Sequence, residues 1–188
     1  YIFVPLLIYL LSYFPFFTSG HPWTQFVELQ KQMWWYHTRL KATHSYSSPV
    51  YTWPIMYRPV WAYVDYQPSS TSNIYIMGNP LLWCAGFLAV VYQTIKSIFH
   101  NKFSLPVIGY WLFLLPWIFS PRIMFLYHYL PSAIFMYILL AQTLVDFYIQ
   151  HKKLTLGICV LVFGSFVYFY PHWTGIPVST SWASHYYW

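Results

Sequence analysis

The residues able to do chemistry in this chain are few: three carboxylates, eight histidines, two cysteines and nine basic side chains among 188 residues. Glu28, Asp65 and Asp146 lie far apart in sequence, so no two share the spacing of a general acid and base. Glu28 stands three residues before Lys31 on a polar helical face and reads as a surface ion pair. Asp146 closes an apolar run beside Lys152 and Lys153 and reads as a snorkelling or charge-paired residue. Asp65 lies in a polar segment where it could face a site. His37 and His44 are seven residues apart, yet no His-Glu-x-x-His or comparable cluster accompanies them. A zinc site needs roughly three or four protein ligands, so no metal or other cofactor is expected, and histidines hydrogen-bonding at a wet aromatic site are. Cys84 and Cys159 fall at depths differing by roughly 15 Å at 1.5 Å per residue, beyond the reach of a disulfide, and are expected as packed thiols. Arg122 carries more information. It is alone between two apolar runs, within Pro121-Arg122-Ile-Met-Phe125-Leu-Tyr127-His128-Tyr129-Leu-Pro131, at the expected N-terminal end of a helix. A guanidinium and a helix N-terminus both favour an anion. Arg58, in Trp53-Pro54-Ile-Met-Tyr57-Arg58-Pro59, is a second candidate. The plain alternative is that both arginines snorkel to membrane phosphates; the functional one is that they hold the phosphate of a lipid-linked substrate.

The elements that position these residues follow from composition. Charged residues are 6% of the chain, against about 25% in a soluble domain, while hydrophobic residues make up 59% and aromatics 25%. That excludes a water-facing globule, and the same hydrophobicity excludes disorder. No Lys, Arg, Asp or Glu occurs in 1–27, 66–95, 103–121, 123–145 or 154–188. Each gap can hold a bilayer-crossing helix of about 20 residues. The expectation is an all-α membrane protein, a polytopic bundle of about five spans at 1–17, 80–99, 103–119, 123–148 and 154–170. The first span is expected to be trimmed: the chain begins at Tyr1, without the basic stretch and small-residue cleavage site of a signal peptide. It reads as a piece of a longer protein. His100-Asn101-Lys102, Ser120-Pro121-Arg122 and Gln150-His151-Lys152-Lys153 are short connections that force antiparallel neighbours. Lys96, Lys102, Lys152 and Lys153 gather at two of them, which places those loops in the cytoplasm and Arg122 outside. The long segment carries Lys31, Arg39, Lys41 and Arg58 and argues the other way, but the rule weakens for loops of its length.

Four regions result: a transmembrane helix at 1–17, an extracytoplasmic segment at 18–79, a four-helix transmembrane region at 80–170 and an extracytoplasmic tail at 171–188. Within the long segment, 24–43 reads as an amphipathic helix with Phe26, Leu29, Met33, Tyr36, His37 and Leu40 on one face. Glu28, Lys31, Gln32, Thr38 and Arg39 take the other, the pattern of a helix lying in the membrane interface. Downstream, Pro49, Pro54, Pro59 and Pro68 predict an irregular cap over 44–79, anchored by Tyr46, Tyr51, Trp53, Tyr57, Trp61 and Tyr63.

Several motifs then resemble the C-terminal region of protein O-mannosyltransferases. They are Gln32-Met33-Trp34-Trp35-Tyr36-His37, His44-Ser45-Tyr46-Ser47-Ser48-Pro49, Trp53-Pro54-Ile-Met-Tyr57-Arg58-Pro59, and Gly78-Asn79-Pro80. Arg122-x-x-Phe125-x-Tyr127-His128-Tyr129-Leu-Pro131 and Pro171-His-Trp173-Thr-Gly175 follow, in the family's order across nearly the whole chain. The resemblance implies a polytopic GT-C glycosyltransferase that moves mannose from polyprenyl or dolichyl phosphate to Ser or Thr hydroxyls of proteins, inverting the anomeric centre. The family's acidic catalytic pair lies in its first extracytoplasmic loop, and nothing in this chain matches it. By this resemblance the chain is the C-terminal membrane portion, with no catalytic residue of its own, inactive alone and completed by an N-terminal half. The compact cap around Arg58-Pro59-Val-Trp61 resembles a bacterial member, which implies the plasma membrane; a eukaryotic member would sit in the ER membrane.

The residues then divide by role. Arg122, Arg58, Tyr127 and His128 are the candidates for the lipid phosphate of the donor. Tyr36, His37, His44, Tyr46, Trp53 and Asn79 are those for sugar or acceptor. The partners implied are the lipid-linked mannose, which is a substrate rather than a cofactor, acceptor proteins and membrane lipids, with no nucleic acid. Two other readings compete: another GT-C enzyme on the same carrier, such as an aminoarabinose transferase, and a non-catalytic lipid-binding or scaffold subunit. A transporter fits least, because the spans lack inward ionisable residues.

Overall fold

Proline and asparagine set most of the helix boundaries in the computed structural model, which describes residues 2–39 and 42–186. The chain divides into two compact units, one within residues 1–42 and one within 43–188. In the first, α1 (Phe3–Ser12) and α2 (Phe14–Thr18) form an apolar run interrupted at Tyr13, with Pro15 admitted at the start of α2, where a missing N–H costs nothing. α3 (Trp23–Arg39) buries Phe26 against Tyr13 and Trp23, at centroid separations of 4.9 and 4.8 Å. The Tyr9 hydroxyl donates to Gln30 and fastens α1 to α3. The expected 24–43 helix thus spans 23–39; Leu40 and Lys41 lie outside the described residues, and 42–43 are not helical. Leu29 and Met33 are half-buried with Phe26, whereas Tyr36 and His37, expected on that face, are exposed.

The second unit opens with a correction. Residues 44–79 are not irregular throughout: β1 (Val60–Tyr66) and β2 (Ser70–Ile76) pair as an antiparallel hairpin, so the fold is mostly helical rather than all-α. Pro59 and Pro68 flank the strands instead of interrupting them, and the run between them is rich in β-branched and aromatic residues. Register runs from Val60↔Ile76 to Tyr66↔Thr71, with a bulge between Trp61 and Tyr63.

α4 (Pro80–Phe99) starts where Asn79 accepts the Leu82 N–H at 3.1 Å, with Pro80 at the first helical position. It ends on Asn101 (φ 49°), where Lys102 N–H reaches Ser97 O at 3.0 Å and Asn101 N–H reaches Ile98 O at 3.2 Å. Those two bonds satisfy the last carbonyls of the helix. α5 (Leu105–Leu114) tightens into a 3₁₀ turn at Leu115–Phe119, containing Pro116. Gly109 lets it approach α6, since a Cβ there would collide with the Phe135 ring. α6 (Leu130–Phe169) is a 40-residue helical run whose one non-helical residue is His151 (φ −133°, ψ 50°). A straight helix would hold Leu140 and Ile158 about 27 Å apart at 1.5 Å per residue. Both line one cavity with Leu144, so the run folds back at His151 into two arms. The connection expected at Gln150–Lys153 is therefore a break at one residue. A second boundary also differs: the helix expected from residue 123 begins at Leu130, with Pro131 in its first turn.

After α6, α7 (Pro171–Thr174), the short β3 (Val178–Ser179) and α8 (Thr180–Ala183) fold back, and β3 adds to β2 with Thr71 opposite Val178. Pro80–Phe99 and Leu126–Phe169 are long and apolar enough to cross a bilayer; Phe3–Thr18 and Leu105–Phe119 are shorter apolar helices. The core of the second unit is aromatic, with Trp53, Tyr110 and Tyr129 fully buried. Polar pairs tie its helices together: Tyr110 to Tyr129 at 2.9 Å, Gln93 to Thr143 at 3.1 Å and Trp111 to Thr94 at 3.0 Å. Cys84 and Cys159 are free thiols, and both are exposed rather than packed.

Candidate functional site

Arg122 lies in the loop between the 3₁₀ turn after α5 and the start of α6. It was expected on one helix with Tyr127 and His128; instead the latter two occupy a separate 3₁₀ turn, Leu126–Tyr129. The half-buried Arg122 has its N–H 3.4 Å from Ser120 Oγ, and its charge is close enough to act on the His128 imidazole. His128 Nδ1 lies 3.1 Å from Phe125 N and 3.0 Å from Phe125 O, so the Phe125 backbone serves that nitrogen in either tautomer. The imidazole stacks on Tyr127 (4.6 Å, 24°) and on Trp53 (6.0 Å, 13°) and meets the edge of Trp117 at 4.8 Å. Tyr127 in turn stacks on Phe125 at 5.3 Å.

The segment 44–48 is knitted onto this loop. Ser48 N–H donates to Met124 O at 2.9 Å, and His44 meets Phe125 at 5.2 Å. Trp53 Nε1–H donates to Ser48 O and Ser48 Oγ at 3.2 and 3.1 Å, while Trp53 O accepts from Trp83 Nε1 at 2.9 Å. A path of hydrogen bonds therefore runs from α4 through Trp53 and Ser48 to the Arg122 loop. Ser48 and Trp83 were not among the expected site residues. The signal for Trp83 is Gly78, where a Cβ would run into the Trp83 ring.

Beside this cluster, Arg58 donates to Ser45 O at 2.9 Å and lies 5.5 Å from the Tyr57 ring centroid. Ser45, Tyr46, Tyr57, Arg58 and Pro59 line a cleft of ≈ 340 Å³. Met56 (φ 55°) and Arg58 (φ 59°) both adopt left-handed backbone, which costs a non-glycine residue about 1–2 kcal/mol. Thus His44, Trp53, Arg122, Tyr127 and His128 come together, with Tyr46 and Arg58 in the adjoining cleft. Trp53 is fully buried, so it supports the cluster from beneath. Asn79 stands apart: Oδ1 caps α4 and Nδ2 donates to Val162 O at 2.9 Å, clasping the second arm of α6. Tyr36 and His37 belong to α3, in the other unit.

Guanidinium groups ringed by aromatic and imidazole side chains can bind an anion with a polar organic body. Among the described residues no Asp or Glu joins them. Glu28 pairs with Lys31 at 3.7 Å, Asp146 with Lys96 at 3.9 Å, and Asp65 accepts from Gln67 at 2.9 Å. Among the described residues, no three His, Cys, Asp or Glu side chains gather to hold a metal.

A second buried polar group lies under the hairpin. Thr71, Asn73 and Tyr75 alternate inward from β2 toward α7, where His172 is 1% exposed against the Tyr186 ring, at a centroid distance of 3.7 Å. Neither His172 nitrogen has a hydrogen-bond partner among the described residues, and burial lowers its pKa. Burial also raises the Tyr186 phenol.

A family model described as the C-terminal four TMM region of protein-O-mannosyltransferase matches residues 22–99 and 92–188. Protein O-mannosyltransferase 1 of Drosophila pseudoobscura pseudoobscura is 32% identical over 63% of this chain and 15% of its own length. Dolichyl-phosphate-mannose–protein mannosyltransferase 5 of Saccharomyces cerevisiae is 26% identical over 86% of this chain and 24% of its own. For the polyprenol-phosphate-mannose–protein mannosyltransferase of Mycolicibacterium smegmatis the figures are 24%, 95% and 44%. The chain thus spans between 15% and 44% of the length of these relatives. Among solved structures, the S. cerevisiae protein O-mannosyltransferase Pmt1-Pmt2 complex bound to the sugar donor superposes with a TM-score of 0.64. Identity there is 22%, over 89% of this chain and 26% of that one, so the likeness is one of fold.

Proposed function

This chain belongs to the protein O-mannosyltransferase family, and from that membership we propose that it is the C-terminal membrane portion of a glycosyltransferase. The enzyme moves mannose from a polyprenyl- or dolichyl-phosphate carrier to Ser and Thr hydroxyls of proteins. The observation that supports the reading is the knitting of segment 44–48 onto the loop that carries Arg122, Tyr127 and His128. Arg122 grips the carrier phosphate and offsets the charge that grows on it as the glycosidic bond breaks. Arg58 supports that charge from the neighbouring cleft. His44, Tyr46 and Tyr127 offer rings and hydroxyls to the sugar and the acceptor peptide. The base that takes the hydroxyl proton comes from outside this chain.

In this reading the apolar run Phe3–Thr18, α4, α5 with its 3₁₀ turn and the two arms of α6 make five crossings. The lysine-bearing turns face the cytoplasm and the Arg122 end faces outward, and α3 lies in the membrane interface. The test is product analysis. Membranes carrying the complete protein, supplied with polyprenyl-phosphate-linked radiolabelled mannose and a Ser/Thr peptide, should yield an inverted O-mannosyl peptide, and this chain alone should yield none. Transfer by this chain alone, or transfer to a lipid acceptor with none to peptide, contradicts the reading.

A further inference from the structure

α4 and the two arms of α6 leave an apolar groove between them. Two stretches, of ≈ 350 and ≈ 320 Å³, share Ala85, Leu140, Leu144 and Ile158 and so run together. The second stretch reaches Tyr92 and Phe147, near the end where α4 finishes and α6 turns back. The first of those rings lies beside a cation and the second beside an imidazole. Lys96 Nζ lies 5.7 Å from the Tyr92 ring, and the His151 ring lies 5.7 Å from Phe147. Lys152 Nζ lies 5.7 Å from the ring of Tyr148, the residue after Phe147. Lys102 and Lys153 are exposed at the same end. The opposing carboxylate is Asp146, itself exposed and 3.9 Å from Lys96 Nζ.

What fills this groove must be apolar along its length and anionic at its mouth. Water does not occupy apolar walls, and a neutral lipid would leave the lysines unused. We propose that the groove holds one anionic phospholipid of the surrounding leaflet, with an acyl chain against Ala85, Leu140, Leu144 and Ile158 and its phosphate between Lys96 and Lys152. This site is at the end opposite Arg122 and does not depend on the mannosyl-transfer reading.

Native mass spectrometry of the complete protein, titrated with palmitoyl-oleoyl phosphatidylglycerol or with phosphatidylcholine of the same chains, tests it. Each lysine at the mouth should contribute about fivefold. The wild type should therefore prefer phosphatidylglycerol by about 30-fold, and Lys96→Gln with Lys152→Gln should bring the two lipids near parity. Lys102→Gln, which does not touch the groove, should leave the preference in place. A readout without mutation is alkylation of Cys159, which lines the groove. Phosphatidylglycerol should slow its reaction with a membrane-permeant maleimide, and phosphatidylcholine should not. Equal retention of both lipids, a loss with Lys102→Gln as large as with Lys96→Gln, or unchanged Cys159 reactivity overturns the proposal.

Discussion

At the end where α4 and α6 begin, Arg122 shares a loop cluster with Trp53, Phe125, Tyr127 and His128 and Arg58 lies in the adjoining cleft, with hydrogen bonds running from Trp83 through Ser48 to Met124. At the opposite end Lys96, Lys102, Lys152 and Lys153 are exposed, and Lys96 holds Asp146 in a loose pair at 3.9 Å. Both ends are positive, but one carries its cations on braced loops and the other leaves them exposed on long stems. Guanidinium held in a braced loop suits a ligand that must be oriented; solvated ammonium suits a headgroup that need only be attracted. Construction, more than charge, separates the proposed phosphate site from the proposed lipid contact.

The sharpest way to break that comparison is to remove the brace. Trp53→Ala should cost about 3–5 kcal/mol in thermal unfolding, since a fully buried ring and an indole N–H shared between Ser48 O and Ser48 Oγ go together. Tyr51→Ala, two residues away and 81% exposed, should stay within about 0.5 kcal/mol. Similar losses for both would mean that the loop cluster is not held from beneath.

Away from either end, Gly109→Ala should cost about 1–3 kcal/mol, because the new methyl meets the Phe135 ring where α5 presses on α6. Gly157→Ala, which meets open space, should cost nothing by that route and serves as its control.

A smaller effect concerns the C-terminal return. His172 has its pKa lowered by burial, so the unfolded or undocked chain binds more protons than the native one below about pH 6.5. The stability contribution is intact above that value and is lost as pH falls through the lowered native pKa. The protection factors of the β2 amides, corrected for the pH dependence of intrinsic exchange, should therefore fall between pH 7.5 and pH 5 more in the wild type than in His172→Phe. An equal change in both would remove His172 from the account.

Much of the helical frame was legible in the sequence, because an apolar run bounded by Asn79-Pro80 and Lys96 announces both its start and its finish, and α4 covers the expected 80–99. The hairpin was not legible. Its buried face is Thr71, Asn73 and Tyr75, so hydrophobic alternation points the wrong way, and counting prolines hid a strand-length gap between Pro59 and Pro68. The reversal at His151 has neither proline nor glycine to mark it, and it was the polar run Gln150-His151-Lys152-Lys153 that located it. At the site, Arg122, Tyr127, His128 and His44 were identifiable as unusual polar groups in apolar surroundings. Asn79 was singled out by the Gly78-Asn79-Pro80 motif of the resemblance, yet its amide is taken up by a helix cap and a clasp. The supporting roles of Ser48 and Trp83 depend on contacts across 76 and 30 residues of chain, which spacing does not reveal.

The most direct test of the central claim is the donor dependence of mannosyl transfer in the complete enzyme carrying Arg122→Ala or Arg122→Lys. Loss of a charged hydrogen bond to phosphate should lower transfer at limiting donor by about 1.5–3 kcal/mol for alanine. Lysine, which keeps the charge but loses the two-pronged geometry, should fall in between. Expression and membrane insertion should be unchanged, and saturating acceptor peptide should not rescue either variant. Wild-type activity for Arg122→Ala at limiting donor, or a defect that tracks only with misfolding, would contradict the phosphate role and leave Arg122 an anchor at the membrane interface.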